Sequence, residues 1–138
     1  MSASRWSILF ITLIMLLCTP IAPYAAEKAK GTLTAKVIPL QSSGKDVSPV
    51  LAGPPESVTM KSGLVVLAPG KSVGKHSTVR NEELLIVFEG QGEMSLESGA
   101  RLPVKANTAV YCPPETKHNV TNTGTGLLRY VYVVAKAR

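Results

Sequence analysis

Cysteine is scarce in this sequence, with two residues in a chain of 138. One of them, Cys18, lies in the N-terminal segment, which we expect to be removed, so that Cys112 would be the single cysteine of the mature protein. A chain with one cysteine forms no internal disulfide. The mature domain must therefore draw its stability from its core rather than from cross-links.

The N-terminal segment lacks the length of a membrane span. Its apolar run, Trp6 to Cys18, is shorter than the ~20 residues that a spanning helix needs. Arg5 precedes this run, and Pro20 to Ala26 follows with a helix breaker and small residues. This organisation predicts a signal peptide over residues 1–26 and a periplasmic or secreted product. Two alternatives stay open: an uncleaved segment that tethers the protein to the membrane, and a lipoprotein cysteine at Cys18, which the large Leu17 disfavours.

The sequence also lacks clusters of basic residues. Its net charge is +6 at pH 7, yet the lysines and arginines are scattered singly, and aromatic residues make up 5% of the chain. A nucleic-acid surface would show basic clusters interleaved with aromatic residues. We therefore expect no nucleic-acid partner, and the excess charge indicates solubility or a mild attraction to anionic ligands.

Helical periodicity is absent, because apolar residues nowhere recur at three-and-four spacing over a useful length. After Glu56 the chain alternates short β-prone runs with turns that contain Gly, Pro or Asn. The predicted strands are Val58 to Met60, Leu64 to Ala68, Leu84 to Phe88, Gly92 to Leu96, Leu102 to Lys105, Thr108 to Cys112, His118 to Thr121 and Leu127 to Ala135. This pattern is typical of an all-β sandwich or barrel.

The length that follows the signal peptide suits one compact domain. Residues 27–56 are predicted to hold a first strand, Thr32 to Ile38, and then a flexible arm, Gln41 to Pro55, which is rich in Ser, Gly and Pro. Residues 57–138 are predicted to form the barrel. In its last strand Tyr130 and Tyr132 share one face, because alternate residues of a strand point the same way.

Histidine is as rare as cysteine, with two residues in the chain. His76 lies seven residues before Glu83, across a polar turn-like segment, and His118 lies in a second segment of related character, Cys112 to Asn122. Two imidazoles and one carboxylate on neighbouring strands would supply three metal donors.

The spacing around His76 resembles the first motif of the cupin superfamily, whose members are small antiparallel jelly-roll barrels. That motif is a glycine, five residues, His, one residue, His, three or four residues, Glu, six residues and a glycine. Gly70, His76, Thr78, Glu83 and Gly90 hold these positions here. Every position matches except Thr78, which stands in place of the second histidine.

The spacing around His118 resembles the second motif of the same superfamily. That motif is a glycine, five residues, Pro, one residue, Gly, two residues, His, three residues and Asn. Asn107, Pro113, Glu115, His118 and Asn122 hold these positions, so both glycines are replaced. Together the two motifs identify the chain as similar to single-domain cupins, with a jelly-roll barrel as the expected fold.

The resemblance implies a metal site made by His76, Glu83 and His118. Thr78 offers a poor ligand, so water or substrate would fill the position that it leaves. Two histidines and a carboxylate suit Fe, Mn, Zn, Ni or Cu. The alternative is a barrel that has lost its metal, in which the histidines are ordinary polar residues of the core or rim.

Other residues are candidates for contact with a bound ligand. Thr78, Tyr111, Tyr130 and Tyr132 could offer hydroxyl groups, and Cys112 could line the mouth as a thiol, although barrel packing explains the tyrosines and the cysteine equally well. Arg80 and Lys117 lie close in sequence to the two histidines. They could meet an anionic substrate or could be solvated loop charges.

Three functions follow from these observations and from the resemblance. The first is a binding module that holds a divalent metal ion and a small ligand, anionic or sugar-like. The second is a metal-dependent enzyme, with dioxygenase, isomerase, lyase or decarboxylase chemistry implied by the resemblance. The third is a metal-free ligand-binding or structural barrel. A homodimer is a further expectation, because the last strand is long and β-prone.

Overall fold

The computed structural model describes residues 33–137, and the predicted signal peptide lies outside this part of the chain. The described residues form eight strands: β1 (Val47–Leu51), β2 (Lys61–Leu67), β3 (Asn81–Glu89), β4 (Gln91–Leu96), β5 (Arg101–Lys105), β6 (Ala109–Cys112), β7 (His118–Asn122) and β8 (Leu128–Lys136). They contain no helix long and apolar enough to cross a membrane. The all-β prediction is confirmed.

The strands form two antiparallel sheets that pack into a jelly-roll barrel. The large sheet has the order β1-β2-β8-β3-β6, and the small sheet has the order β5-β4-β7. Alternation along β3 buries Glu83, Leu85 and Val87 and leaves Leu84 and Ile86 outside, as expected for strands with one face on a core. The core lies between the sheets and consists of Val65, Leu67, Leu85, Val87, Met94, Val104, Val110, Cys112, Val120, Leu128 and Tyr130.

The segment between β2 and β3 extends the small sheet. Its backbone forms isolated bridges from Ser72 to Thr121 and from His76 to His118. The amide of Val73 also donates to the carbonyl of Val120 at 3.1 Å. This segment therefore runs antiparallel along β7 and carries His76 to the start of that strand.

Two strand predictions in the first part of the domain are wrong. Residues 33–38 form no strand, and Leu33 and Val37 are 51% and 94% exposed, so this run has no buried face to hold it in a sheet. Val58 to Met60 lies in bends before β2. The first strand is instead β1, inside the segment predicted as a flexible arm. It pairs only with β2, and the register shifts between Pro49 and Leu51, consistent with proline at a sheet edge.

The two glycines that the second motif lacks are replaced by residues with a left-handed backbone. Asn107 has φ of 63° and Glu115 has φ of 59°. Asparagine tolerates this conformation better than most residues, whereas glutamate adopts it at a cost. The backbone of the motif is therefore retained although its glycines are not.

Candidate metal centre

The three predicted donors come from both sheets. Glu83 is the third residue of β3 in the large sheet, and His118 is the first residue of β7 in the small sheet. His76 pairs with His118 through two backbone hydrogen bonds of 2.9 Å, from each amide to the other carbonyl. Because directly paired residues project to the same face, both imidazoles point toward Glu83.

The donor atoms of these residues converge. One atom each from His76, Glu83 and His118 lies within 4.8 Å of the others. The two imidazole rings have centroids 4.5 Å apart and are tilted by 58°. His118 and Glu83 are buried, with 0% and 6% exposure, while His76 is exposed. The cluster is therefore closed on the core side and open at His76.

Glu83 and His118 approach each other without forming a hydrogen bond. Oε2 of Glu83 lies 3.1 Å from Nε2 of His118. Both atoms are buried and have no hydrogen-bond partner among the described residues. The Glu83 carboxylate raises the pKa of His118 above its ordinary value, while burial acts in the opposite direction.

The second nitrogen of each ring is held by a carbonyl. Nδ1 of His76 lies 2.9 Å from the oxygen of Gly74, and Nδ1 of His118 lies 3.1 Å from the oxygen of Thr116. A proton on Nδ1 leaves Nε2 of each ring free to bind a metal ion, which is the usual arrangement of metal-binding histidines. The chain thus fixes the ring orientation of both histidines.

The residues present fit a divalent transition metal. Two imidazoles and one carboxylate match Fe, Mn, Zn, Ni or Cu. Of the three buried side-chain atoms without partners in the described chain, two belong to this cluster, a carboxylate oxygen and an imidazole nitrogen, both good donors. Three protein ligands leave coordination positions for water or a ligand. The donor set does not select one of these metals.

A cavity of about 290 Å³ adjoins the cluster. Thr78, Tyr130 and Tyr132 line it together with all three donors. The remaining lining residues are Val47, Val65, Val73, Val120 and Val134. The Thr78 hydroxyl donates to the carbonyl of Asn81 at 2.7 Å. Burial raises the pKa of both tyrosines, so their hydroxyls stay neutral and can donate hydrogen bonds to a ligand.

Two of the predicted ligand contacts lie elsewhere, because side chains alternate along β6. Tyr111 points outward, is 53% exposed, and donates from its hydroxyl to Oε2 of Glu82 at 3.0 Å. Cys112 points into the core with 1% exposure, and its sulfur lies 3.1 Å from Nδ1 of His118. Burial raises the pKa of the Cys112 thiol. Cys112 therefore contacts His118 on the Nδ1 side of its ring and does not line the cavity.

The two basic candidates, Arg80 and Lys117, lie in different places in the structure. Lys117 lies on the surface, with Nζ 3.4 Å from Oε1 of Glu97. Arg80 lines a second cavity at the mouth of the barrel together with Lys61 and Lys136, which the sequence reasoning did not single out. Alternate residues of β2 and β8 face inward, and both lysines continue this alternation at the ends of their strands. The sequence pattern could therefore have identified them.

Comparison with known proteins gives consistent results. The family model described as "Cupin domain" matches residues 63–134. The chain is 30% identical over 70 residues to polyketide synthase CurC of Streptomyces cyaneus, which covers 51% of this chain and 45% of that protein. It spans less than half the length of the two curated relatives that it matches.

Solved structures share the same fold. A cupin 2 conserved barrel domain protein from Salinispora arenicola is 26% identical, with a TM-score of 0.58 over 73% of this chain and 82% of that one. An RmlC-like cupin family protein from Methanocaldococcus jannaschii is 20% identical, with a TM-score of 0.63 over 75% of this chain and 93% of that one. At 20% identity the second likeness concerns the fold alone.

Proposed function

Because the chain belongs to the cupin family, whose domain model matches residues 63–134, we propose that its barrel binds one divalent transition-metal ion through His76, Glu83 and His118. A small-molecule ligand occupies the cavity beside these residues. This is the binding function that the geometry supports best.

One observation carries the proposal. Oε2 of Glu83 and Nε2 of His118 are buried 3.1 Å apart, and neither has a hydrogen-bond partner among the described residues. A buried polar atom without a partner costs about 1–3 kcal/mol. A metal ion between the two side chains and His76 would satisfy both atoms at once.

The cavity supports a small ligand. Its volume of about 290 Å³ lies at the lower end of the range for ligand pockets, roughly 300–1,000 Å³. Five of its eleven lining residues are valines, and Tyr130 and Tyr132 supply hydroxyl donors. The exposed side of His76 gives a ligand access from solvent.

Adjacent carboxylates provide a matched test. Glu83 faces the cluster, whereas Glu82 faces outward and binds the Tyr111 hydroxyl. After incubation with Fe, Mn, Zn, Ni or Cu and removal of free metal, we expect elemental analysis to find about one ion per chain in the wild type and in Glu82→Gln. His76→Ala, His118→Ala and Glu83→Gln should lose it. Metal-free wild-type protein, or equal metal content in Glu82→Gln and Glu83→Gln, would overturn the proposal.

A metal-dependent enzyme is the second candidate, favoured by the open coordination positions that three protein ligands leave. Bound there, a metal would supply Lewis-acid or O2-activating chemistry. Tyr130 and Tyr132 lie on the cavity wall, where they can orient a substrate. Turnover of a small oxygenated compound by the metal-loaded wild type but not by Glu83→Gln would establish this function. If none of the five metals supports turnover, the enzyme candidate is rejected and the binding module stays as the proposed function.

We further propose export of the protein and a homodimeric state. Export rests on the composition of residues 1–26. The dimer rests on the exposed apolar side chains of Leu84, Ile86 and Phe88 on the outer face of β3, because β8 lies between β2 and β3 and has no free edge. Fractionation with N-terminal sequencing tests the first proposal, with a product that begins near Glu27 as the expected result. Light scattering of the purified protein tests the second, and a monomeric mass would reject it.

A further inference from the structure

We propose that the ligand of this barrel is a small anion whose acidic group binds among Lys61, Arg80 and Lys136. This inference rests on the proposed function because it takes the central cavity as the ligand site. It does not require the metal ion. The shared chemistry is a carboxylate or a phosphate group, and the experiment below separates the two.

The strand register places two of these cations on the inner face of the large sheet. Lys61 of β2 is directly opposite Val134 of β8, which is directly opposite Glu83 of β3. Paired residues share a face, so Lys61 belongs to the same inward row as the metal donor Glu83. The next inward pair toward the strand ends is Asn81 with Lys136. The barrel interior therefore ends in basic residues at the end where Glu83 lies.

These cations line a cavity that we term the basic vestibule. It has a volume of about 490 Å³ and is lined by Pro54, Val58, Thr59, Lys61, Arg80, Asn81, Val134, Lys136 and Ala137. Val134 also lines the central cavity. The two cavities therefore share this side chain in their walls, so the three positive charges lie beside the central cavity.

The cations of the vestibule are not neutralised within the described chain. None of them forms an ion pair there within 4.0 Å, and no carboxylate lines the vestibule. The neighbouring acids have other partners: Glu82 accepts from Tyr111, Glu56 accepts from the amide of Ala52, and Glu83, in the same inward row as Lys61, faces the two histidines. Glu82 and Glu115 line a separate outer groove with Arg80 and Lys136.

This charge arrangement selects for an anion. Three like charges around one concave surface raise the local potential and attract a group of opposite sign. The planar guanidinium of Arg80 can bind a carboxylate or phosphate through two parallel hydrogen bonds. A neutral sugar would gain no charge attraction from these three exposed side chains. The sequence left two ligand classes open, anionic and sugar-like. The vestibule favours the anionic class.

The test uses the full chain, metal-loaded, and three probes: succinate, its neutral diamide and inorganic phosphate. Calorimetry in low salt should detect succinate binding to the wild type, while the diamide should not bind. Lys61→Gln, Arg80→Gln and Lys136→Gln should each weaken binding about tenfold, the scale of one lost charge-assisted hydrogen bond. Lys105→Gln, on the small sheet, removes the same charge and should have no effect. Higher salt should weaken binding.

The probes distinguish a carboxylate from a phosphate as the bound group. The variants, with metal content measured in parallel, distinguish this inference from the proposed metal site. Phosphate that binds in place of succinate, with the same dependence on the three variants, would assign the site to phosphate groups. Equal binding of the diamide, or equal affinity in Lys105→Gln and the three variants, would overturn the inference. If the protein retains its metal but anion binding does not depend on the three cations, only this inference is rejected. If the anion binds to protein that holds no metal, only the proposed metal site is rejected.

Discussion

Glu83 and His118 face each other from opposite sheets, with Oε2 and Nε2 3.1 Å apart and no hydrogen bond between them. One belongs to the first sequence motif and the other to the second. Their approach therefore requires both sheets to be packed correctly, and the candidate site forms only with the complete barrel. Metal binding and folding should be coupled for this reason.

Metal binding should raise the thermal stability of the barrel. At a free metal concentration about 100-fold above Kd, ligand binding stabilises the folded state by about 2.7 kcal/mol. For a domain of this size the midpoint of thermal unfolding should rise by on the order of 10 °C. Calorimetry or circular dichroism measures the shift, which chelation should reverse. Glu82→Gln should retain the shift and Glu83→Gln should lose it, so equal shifts would contradict the site.

Replacement of Thr78 by histidine should tighten metal binding. Thr78 lines the cavity beside the three donors, and an imidazole there would add a fourth protein ligand. The substitution also removes the hydroxyl bond to the carbonyl of Asn81, so Thr78→Val serves as the control that loses this bond without adding a donor. Competition with a chromophoric chelator should give at least about tenfold tighter binding for Thr78→His. Unchanged affinity would show that position 78 does not reach the ion.

Much of this site was predictable from the sequence, because spacing within a strand fixes which side chains share a face. Tyr130 and Tyr132 were placed on one face in this way, whereas His76, Glu83 and His118 were predicted together from the resemblance of the two motifs to those of the cupins. Tyr111 was placed wrongly because the inward phase of β6 depends on its pairing with β3, where Cys112 is opposite Glu83. Lys61 and Lys136 were missed because the predicted strands began at Leu64 and ended at Ala135, so the inward alternation was not extended to either lysine. The register of β2, β8 and β3 shows that their charges lie at one end of the barrel.

The departures from the family motifs also required the structure. Asn107 and Glu115 break the glycine pattern in the sequence, yet both hold a positive φ. A sequence pattern records residue types, whereas the fold requires a backbone conformation that glycine adopts most easily. The strand predicted over Thr32 to Ile38 failed for the opposite reason: its local pattern is β-prone, but no neighbouring strand pairs with it in the described chain.

The buried thiol of Cys112 should be protected from modification. Its exposure is 1%, and it packs against the ring of His118. In a chain with Cys18 replaced by serine, a thiol reagent should react at the rate of unfolding in native buffer and at once in denaturant. Tyr111→Cys, made in a Cys112→Ala background, supplies a neighbouring thiol that faces outward and should react immediately. Rapid reaction of Cys112 in the folded protein would place it at the surface.

Gly90 and Gly99 should differ sharply in their tolerance of alanine. Both have positive φ, 80° and 89°. A Cβ at Gly90 would lie 2.1 Å from the carbonyl oxygen of Leu127, whereas a Cβ at Gly99 meets nothing within 4 Å. Gly99→Ala should cost about 1 kcal/mol for the backbone conformation alone, and Gly90→Ala should cost more than about 3 kcal/mol because backbone must also move. Urea denaturation measures both, and equal costs would exclude the steric explanation.

Asn122 should be essential for stability although it binds no metal. Its side chain is 1% exposed, and its amide donates to the carbonyls of Leu67 and Gly126 at 2.8 Å each. Its oxygen accepts from the amide of Gly124 at 2.9 Å. Asn122→Ala would leave these backbone groups without partners in the core, at a cost of about 2–4 kcal/mol in the free energy of unfolding.

Asn119, on the same strand, provides the control for Asn122. Its only side-chain hydrogen bond among the described residues is a long one of 3.4 Å to Thr121, and its oxygen has no partner there. Asn119→Ala should therefore not lower the free energy of unfolding, because it removes one long hydrogen bond and a buried oxygen without a partner. If urea denaturation gave the two variants the same stability, the bonds of Asn122 would not tie β7 to the end of β2. The asparagine of the second motif would then need an explanation other than this anchoring role.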